Sequence, residues 1–166
     1  MADPLIVTLL LEPGAQERFD RLRAEHFPRE RNHLTAHVTL FHALPGEHED
    51  AVTADLAAAA GRPPFDVAVT GLRLLGRGVA YTLESAELAA LRSGLAAVWG
   101  PWLTRQDQQR HAPHVTVQNK VEPAVARALR DRLAAEFVPG TVGATGLGLW
   151  RYLGGPWEPV AGFPFG

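Results

Sequence analysis

The sequence predicts an α+β fold with two similar lobes around a pseudo-twofold axis, each lobe a mainly antiparallel sheet with two helices. Strand-like and helix-like segments alternate in the same order in both halves of the chain. The tetrapeptides HVTL and HVTV begin at His37 and His114, and the hexapeptides TGLRLL and TGLGLW begin at Thr70 and Thr145. These two landmarks have nearly the same separation, which indicates an internal duplication.

The first half reads as strand, helix, strand, helix, strand. LIVTLLLE is an apolar strand, and the segment AQERFDRLRAEHF after Pro13 has helical periodicity. AHVTLFHAL is a second strand that ends before Pro45. A helix follows from about Glu49, and FDVAVTGLRLL alternates as a third strand. The inward positions predicted for the two helices are Phe19, Leu22, Phe27, Val52, Leu56 and Ala60.

The second half repeats this order. GVAYTLE is a strand, and a helix begins near Ser85, a residue type that caps helices. PHVTVQNKV is the second strand with the motif, Pro123 opens a helix at a position that proline favours, and GATGLGLWRYL is the last strand. The inward positions predicted for these helices are Leu88, Leu91, Leu95, Val98, Val125, Leu129, Leu133 and Phe137.

Length and composition limit the possible functions. A chain of 166 residues suits one domain, residues 1–166, with lobes of about 1–76 and about 77–166. The net charge of −2 argues against a surface for duplex DNA. The absence of cysteine excludes disulfides and thiol nucleophiles, and the seven apolar residues of LIVTLLL are too few to cross a membrane. We therefore expect a cytoplasmic protein without a membrane partner.

The repeated His-x-Thr motif predicts a shared groove. Side chains two apart on a strand point to the same face, so His37, Thr39 and Phe41 are predicted to line it together. In the second copy the corresponding set is His114, Thr116 and Gln118. Val38, Leu40 and His42 are predicted to face the other way, and a pseudo-twofold axis would bring the two His-Thr pairs together.

Two facing imidazoles and two hydroxyls suit phosphodiester chemistry. Histidine titrates near neutral pH, so one ring can accept a proton from a nucleophile while the other donates one to a leaving group. The hydroxyls can donate hydrogen bonds to phosphate oxygens and stabilise charge in the transition state. These groups require no metal and no other cofactor.

The paired motifs, the second preceded by Pro113, resemble the 2H phosphoesterase superfamily, in particular the branch of 2′-5′ RNA ligases and RNA 2′,3′-cyclic phosphodiesterases. The resemblance implies a bilobal fold that opens a cyclic phosphate without a metal. It implies that His37 and His114 are the acid-base pair and that Thr39 and Thr116 bind phosphate. Within that branch, the first histidine is expected to protonate the leaving oxygen and the second to activate water. Reversal of the reaction gives 2′-5′ ligation.

The expected partner is a small cyclic nucleotide or an RNA 3′ end, bound by a monomer. Phe41, Gln118 and Tyr152 are candidate substrate-binding residues, the aromatic rings for stacking on a base and the amide for hydrogen bonds to phosphate or sugar. Alternatives remain open. The cleft could belong to a non-catalytic module that binds nucleotides or RNA ends, or to an enzyme for a non-RNA phosphodiester. A metal site at His37, His111 and His114 is disfavoured because no carboxylate accompanies them in the sequence.

Overall fold

The computed structural model describes residues 2–166, which form seven β-strands and five α-helices. The strands are β1 (Leu5–Leu11), β2 (Val38–Leu44), β3 (Phe65–Leu74), β4 (Val79–Glu84), β5 (His114–Gln118), β6 (Gly140–Tyr152) and β7 (Trp157–Pro164). The helices are α1 (Pro13–His26), α2 (Glu49–Ala59), α3 (Ala86–Trp99), α4 (Arg105–Gln108) and α5 (Pro123–Glu136). The predicted α+β class and the repeated order of elements are confirmed, and α4 and β7 are additions to them.

All strand pairs are antiparallel, in the order β2-β1-β6-β3-β4-β5. The long strand β6 joins the two halves of this sheet. Its first residues, from Gly140 to Ala144, pair with β3, and its later residues pair with β1 on one edge and with β7 on the other. One continuous sheet therefore runs through both repeats.

Exchanging β1 with β4, β2 with β5 and β3 with β6 gives the same strand order, read from the opposite edge of the sheet. A pseudo-twofold axis requires this relation. Helices α1 and α3 have 14 residues each and follow β1 and β4. The helices also cross between repeats, because α1 packs against β5 while α3 reaches β2. The predicted boundary between two lobes at about residue 76 therefore remains a prediction about the repeated sequence. In the structure the elements of the two repeats pack against each other.

Two predicted inward positions on the helices are wrong. Val98 is exposed and Trp99 is buried in its place, with its Nε1–H donating to Asp55 Oδ2 at 2.8 Å. Val125 is also exposed, and Ala126 is buried. Positions three and four residues apart share a helix face, so periodicity leaves a choice of neighbours at each turn. No α-helix within residues 2–166 has both the length and the apolarity needed to cross a membrane.

Each strand that carries a motif contains a β-bulge at the equivalent place. In β2, Thr39 pairs with Thr8 but Phe41 pairs with Val7, so Leu40 is an extra residue. A bulge of this kind puts two residues opposite one and resets the alternation of side chains. Leu40 and Phe41 are consequently both fully buried.

The second bulge has the same form. In β5, Thr116 pairs with Ala80 but Gln118 pairs with Val79, so Val117 is the extra residue. Val117 and Gln118 are both buried. The predictions that Phe41 and Gln118 share the groove face with the histidines are therefore wrong, and for the same reason in each repeat.

Candidate active site

The two motifs lie at the outermost strands of the sheet, yet these strands contact each other because the sheet curves. His37 immediately precedes β2, and His114 is the first residue of β5. A cavity of about 270 Å³ is lined by His37 from the first motif and by Thr116 from the second. We call the space between the starts of β2 and β5 the cleft. The structure thus brings the two motifs to one opening.

The two imidazoles are held in the same way. His37 Nδ1 lies 2.8 Å from the carbonyl oxygen of Thr35, and His114 Nδ1 lies 2.9 Å from that of Ala112. A carbonyl can only accept, so each neutral ring carries its proton on Nδ1 and keeps the lone pair on Nε2. Both rings are therefore oriented as proton acceptors at Nε2, or as donors there when protonated.

The environment of the cleft favours the neutral form of both rings. The pKa of His37 is lowered to about 4, mainly by burial; the hydrogen bond to Thr35 opposes this shift, and the charges on Arg23, His114 and His42 contribute to it. Burial also lowers the pKa of His114, as do the charges on Arg73 and His42.

The lining of the cavity beside His37 is cationic. It includes Arg23, Arg31 and Lys120, and no carboxylate among the described residues. Arg23 is 5% exposed, donates from Nε to Asn32 Oδ1 at 2.8 Å and from Nη1 to the Thr116 carbonyl at 3.1 Å. Although burial lowers its pKa, a guanidinium stays charged at neutral pH. A chain with net negative charge therefore presents a local site that suits an anion.

The free edge of β2 is bound by side chains from α3 and from the segment between α3 and β5. His111 Nε2 donates to the carbonyl of Thr39 at 3.0 Å, and Arg92 Nε donates to the carbonyl of Leu40 at 3.1 Å. The Asp107 carboxylate accepts from the backbone N–H groups of His42 and Ala43 at 2.9–3.0 Å. These contacts satisfy an edge strand and fix the first motif relative to the second.

The bulge in β2 leaves the His42 side chain partly exposed, on the side opposite to the buried Phe41. Its side chain is 43% exposed, and its Nδ1 lies 3.0 Å from Oδ1 of Asp107, which is 1% exposed. The charge on His42 lowers the pKa of His37, His111 and His114. His42 therefore does not share a face with the buried Val38 and Leu40, as the sequence predicted.

The aromatic side chain next to His37 is Trp157. The two ring centroids are 4.5 Å apart, and Trp157 in turn lies 6.0 Å from Trp150, whose Nε1–H donates to Thr8 Oγ1 at 2.9 Å. Tyr152, the predicted substrate-binding residue, is the strand partner of Trp157 and is 40% exposed. It lines neither of the two cavities that His37 borders.

The other predicted substrate-binding residues lie in the interior. Phe41 packs against Trp99 with ring centroids 4.9 Å apart, and the Arg92 guanidinium lies 4.2 Å from the centre of its ring. Gln118 is 4% exposed, and its Oε1 has no hydrogen-bond partner among residues 2–166. Thr39 and Thr116 are partly exposed, as phosphate ligands need to be. Within residues 2–166, no group of three or more His, Asp or Glu side chains is arranged to hold a metal ion.

Sequence reasoning missed the residues that support the motifs. Arg23, Arg92 and Asp107 are charged residues on helices, and a periodic pattern assigns such residues to solvent. All three are buried, and each bonds to backbone of β2 or β5. One signal was present in the sequence. Arg92 lies four residues from Leu88 and three from Leu95, on the apolar stripe of its helix.

Comparison with known proteins agrees with the α+β fold and identifies the family of the chain. A family model described as the 2′-5′ RNA ligase superfamily matches residues 11–156. The chain therefore belongs to the 2′-5′ RNA ligase superfamily, a group of 2H phosphoesterases. No curated protein matches the sequence.

Solved structures share the fold at low sequence identity. Protein TT0787 of Thermus thermophilus is 17% identical, with 98% of this chain and 97% of that chain covered and a TM-score of 0.68. E. coli LigT complexed with 3′-AMP is 18% identical, with 99% of both chains covered and a TM-score of 0.62. A structure described as a phosphoesterase is 21% identical, with 98% of both chains covered and a TM-score of 0.60.

Proposed function

We propose that this protein is a phosphodiesterase that opens 2′,3′-cyclic phosphates on nucleotides or RNA ends. The observation that carries the proposal is the matched pair of imidazoles, each fixed by an Nδ1–H bond to the carbonyl two residues earlier, together with the cationic cavity that His37 shares with Thr116 of the second motif. The complex of E. coli LigT with 3′-AMP supports a nucleotide as ligand, because that protein shares the fold. The reverse reaction would join an RNA end through a 2′-5′ bond.

The reaction needs one base and one acid. His114 takes a proton from water at Nε2 as the water oxygen bonds to phosphorus, and protonated His37 gives a proton to the sugar oxygen as its bond to phosphorus breaks. The product is a phosphate monoester with a free hydroxyl beside it, and the two rings exchange protonation states. Thr39 and Thr116 donate hydrogen bonds to the non-bridging oxygens, and Arg23 adds positive charge nearby. No step calls for a metal.

The direct test is turnover of adenosine 2′,3′-cyclic phosphate in EDTA. We expect the wild type to be active and His37→Ala and His114→Ala each to lose about 10²–10⁴ in kcat, the usual contribution of one acid or base. His33→Ala, at an exposed residue on the cavity wall, is the control and should keep most of the activity.

Circular dichroism and thermal unfolding should show that all three variants fold. Full activity in either motif variant would contradict the acid-base roles. Tight binding of the cyclic nucleotide without any product would instead support a binding module with the same cleft.

A further inference from the structure

Strand β3 has a free edge along its second half. On one side it pairs with β4 as far as Leu74, and on the other it pairs with β6 only from Phe65 to Val69. Among residues 2–166, no strand and no loop backbone bonds to residues 71–74 on the side that β6 leaves. The sheet therefore ends here in unpaired backbone groups.

The direction of these backbone groups follows from the turn between β3 and β4. The N–H of Leu75 donates to the carbonyl of Gly78 at 2.8 Å, so Leu75 directs its backbone groups to β4. The register with β4 is regular from Gly71 to Leu74, and successive residues of an antiparallel strand direct these groups to opposite sides. Leu72 and Leu74 therefore direct their N–H and C=O groups to the free edge.

The other edges of the sheet are protected from pairing. Side chains bond to the backbone of β2 from Arg92 and to that of β5 from Arg23, and β7 contains Pro159 and Pro164. Proline and covering side chains are two ways in which proteins prevent edge strands from pairing. The free edge of β3 has no proline, and Arg73, its one charged residue, favours a partner strand without positive charge.

The pseudo-twofold axis shows what covers the corresponding edge in the other repeat. The axis exchanges β3 with β6 and Thr70 with Thr145, and each strand has a β-bulge at this threonine. Beyond Thr145, β6 pairs with β7, for example Leu147 with Phe163. The free edge of β3 is therefore the counterpart of the edge of β6 that β7 covers.

The segment that covers β6 places an aromatic ring beside the sheet. The N–H of Phe165 donates to the carbonyl of Thr145 at 2.9 Å, and its buried ring stacks on Phe65 with ring centroids 5.4 Å apart. The next residue, Gly166, donates its N–H to the carbonyl of Ala60, which directly follows α2. Phe165 thus fills the space between the end of α2 and the start of β3.

The corresponding place beside β3 is a cavity of about 380 Å³. Its lining includes Gly140, which follows Phe65 at the separation of Thr145 from Thr70, and Phe137, which follows Ala60 at the separation of the two motif histidines. Gly140 has no side chain, and no atom lies within 4 Å of the position that its Cβ would take. The second repeat therefore has the space that Phe165 fills in the first, but no segment to fill it.

The lining of this cavity suits an aromatic side chain. The volume lies near the lower end of the range for ligand sites, about 300–1,000 Å³. Val138, in the lining, is 79% exposed, which is unusual for an apolar side chain that has no partner. The other apolar side chains of the lining are Phe19, Leu22, Val69, Leu133 and Phe137.

We infer that the free edge of β3 and this cavity form a docking site for an extended segment of a partner protein, with an aromatic side chain in the cavity. Strand addition of this kind takes its affinity from main-chain hydrogen bonds and its specificity from side-chain pockets. The kind of occupant follows from the first repeat, where the chain itself supplies such a segment. The inference goes beyond the proposed function and does not depend on it, because no motif residue lines the edge or the cavity.

The probe is the synthetic peptide WEPVAGFPFG, which has the sequence of residues 157–166 and so reproduces the segment that covers β6. An NMR titration of the full chain, labelled with ¹⁵N, follows the amides of Leu72 and Leu74. We expect both amides to shift and to approach saturation at peptide concentrations up to about 1 mM. The same peptide with Phe165→Ala should bind at least about tenfold more weakly, because it lacks the ring that anchors the segment.

A variant of the chain tests the edge itself. Leu74→Pro removes an N–H that the ladder with β4 does not use, so the hairpin should keep its pairing. Leu74→Ala is the matched control, since it shortens the same side chain and keeps the N–H. We expect Leu74→Pro to bind the peptide about three- to tenfold more weakly, as the loss of one hydrogen bond implies, and the control to stay within about twofold of the wild type. Circular dichroism should show that both variants fold.

Several results would overturn the inference. These are the absence of saturable shifts at Leu72 and Leu74, equal binding of the two peptides, and unchanged binding by Leu74→Pro. Shifts confined to β6 and β7 would show exchange with the chain's own strand and would also overturn it. Sedimentation velocity adds a further test, because a wild-type dimer that Leu74→Pro abolishes would assign the edge to a second copy of this chain instead of a partner protein.

Discussion

Burial of two imidazoles at a cationic cleft has consequences for protonation at the residue scale. The pKa of His37 is lowered to about 4, chiefly because burial disfavours the charged ring, and the pKa of His114 is lowered for the same main reason. A ring that must be protonated to act as an acid is then charged mainly in acid solution. A bound phosphate anion would oppose this effect, because it stabilises the imidazolium.

The pH dependence of kcat/KM tests these protonation states, since it reports the pKa values of the free enzyme. Activity should rise with pH through the lower pKa and fall through the higher one. Because the lower pKa, about 4, is that of His37, the proposed acid, the active form with His37 protonated and His114 neutral is a minor species whose fraction is largest between the two pKa values. Both limbs should lie below the ordinary histidine pKa of about 6.5, so the maximum should fall between about pH 4 and 6.5. A maximum above pH 7, or a flat profile from pH 5 to 8, would contradict two catalytic imidazoles in this environment.

The contact between Trp157 and His37 allows one limb of the pH profile of kcat/KM to be assigned to His37. The indole lies 4.5 Å from the imidazole, between centroids, and helps to exclude water from it. Trp157→Leu should let water reach the ring and raise the pKa of His37 toward its ordinary value. The limb assigned to His37 would then move to higher pH, while the other limb should not move.

At the scale of single elements, the bulges in β2 and β5 decide which side chains reach the cleft. Phe41→Ala should lower the free energy of unfolding by about 3–5 kcal/mol, because it removes a fully buried ring in contact with Trp99. His42→Ala, one residue further on, changes a side chain that is 43% exposed. Urea unfolding of both variants measures the difference, and a more stable Phe41→Ala than His42→Ala would contradict the bulge.

The free edge of β2 depends on Asp107. Burial alone would raise the pKa of this carboxyl, but hydrogen bonds from His42 and Ala43 outweigh it and lower the pKa. Asp107→Asn should reduce stability at pH 7 by about 1–3 kcal/mol, the cost of leaving buried groups unpaired. Because the pKa is lower in the folded state, the wild-type advantage is full above about pH 3.9 and is lost as pH falls through the folded pKa.

Urea midpoints at pH 7 and near pH 3 measure this dependence. Asp131→Asn is a matched control, since Asp131 is 70% exposed and pairs with the neighbouring Arg130. Equal stability of the Asp107 and Asp131 variants at pH 7 would contradict the role of Asp107 at the edge of β2.

The order of elements could be predicted from the sequence, because alternation and helical periodicity are local properties and the duplication repeats them. The two motif histidines could also be selected from the sequence as candidate site residues. A polar His-x-Thr pair that recurs in apolar strands is seldom needed for packing alone. The face of the strand on which Phe41 and Gln118 each lie could not be predicted. A bulge adds one residue to the pairing without any glycine or proline to mark it, and everything after it changes sides.

The supporting residues of the site could not be predicted for a different reason. Arg23 bonds to Thr116, and Asp107 bonds to His42, across separations of 93 and 65 residues. Such contacts follow from how α1 crosses to β5 and how α4 meets β2, which no local pattern encodes. The charges of these residues suggested that their side chains are exposed to solvent. Their partners are instead backbone groups of strands at the edges of the sheet.

At the scale of the whole molecule, duplication makes a site with two similar halves, and later differences make the halves unequal. The two imidazoles keep the same hydrogen bond, and the two strands keep the same bulge. The surroundings differ, with tryptophans beside His37 and an open cavity beside His114. In the proposed reaction, this symmetric frame supplies both the acid and the base, and the unequal surroundings allow each ring a different role.

A crystal structure of the protein soaked with inorganic phosphate would measure the central geometry most directly. We predict one phosphate in the cleft, with Nε2 of His37 and Nε2 of His114 each within hydrogen-bond distance, about 2.6–3.2 Å, of its oxygens. A phosphate held by only one of the two rings, with the other turned away from the cleft, would contradict the account.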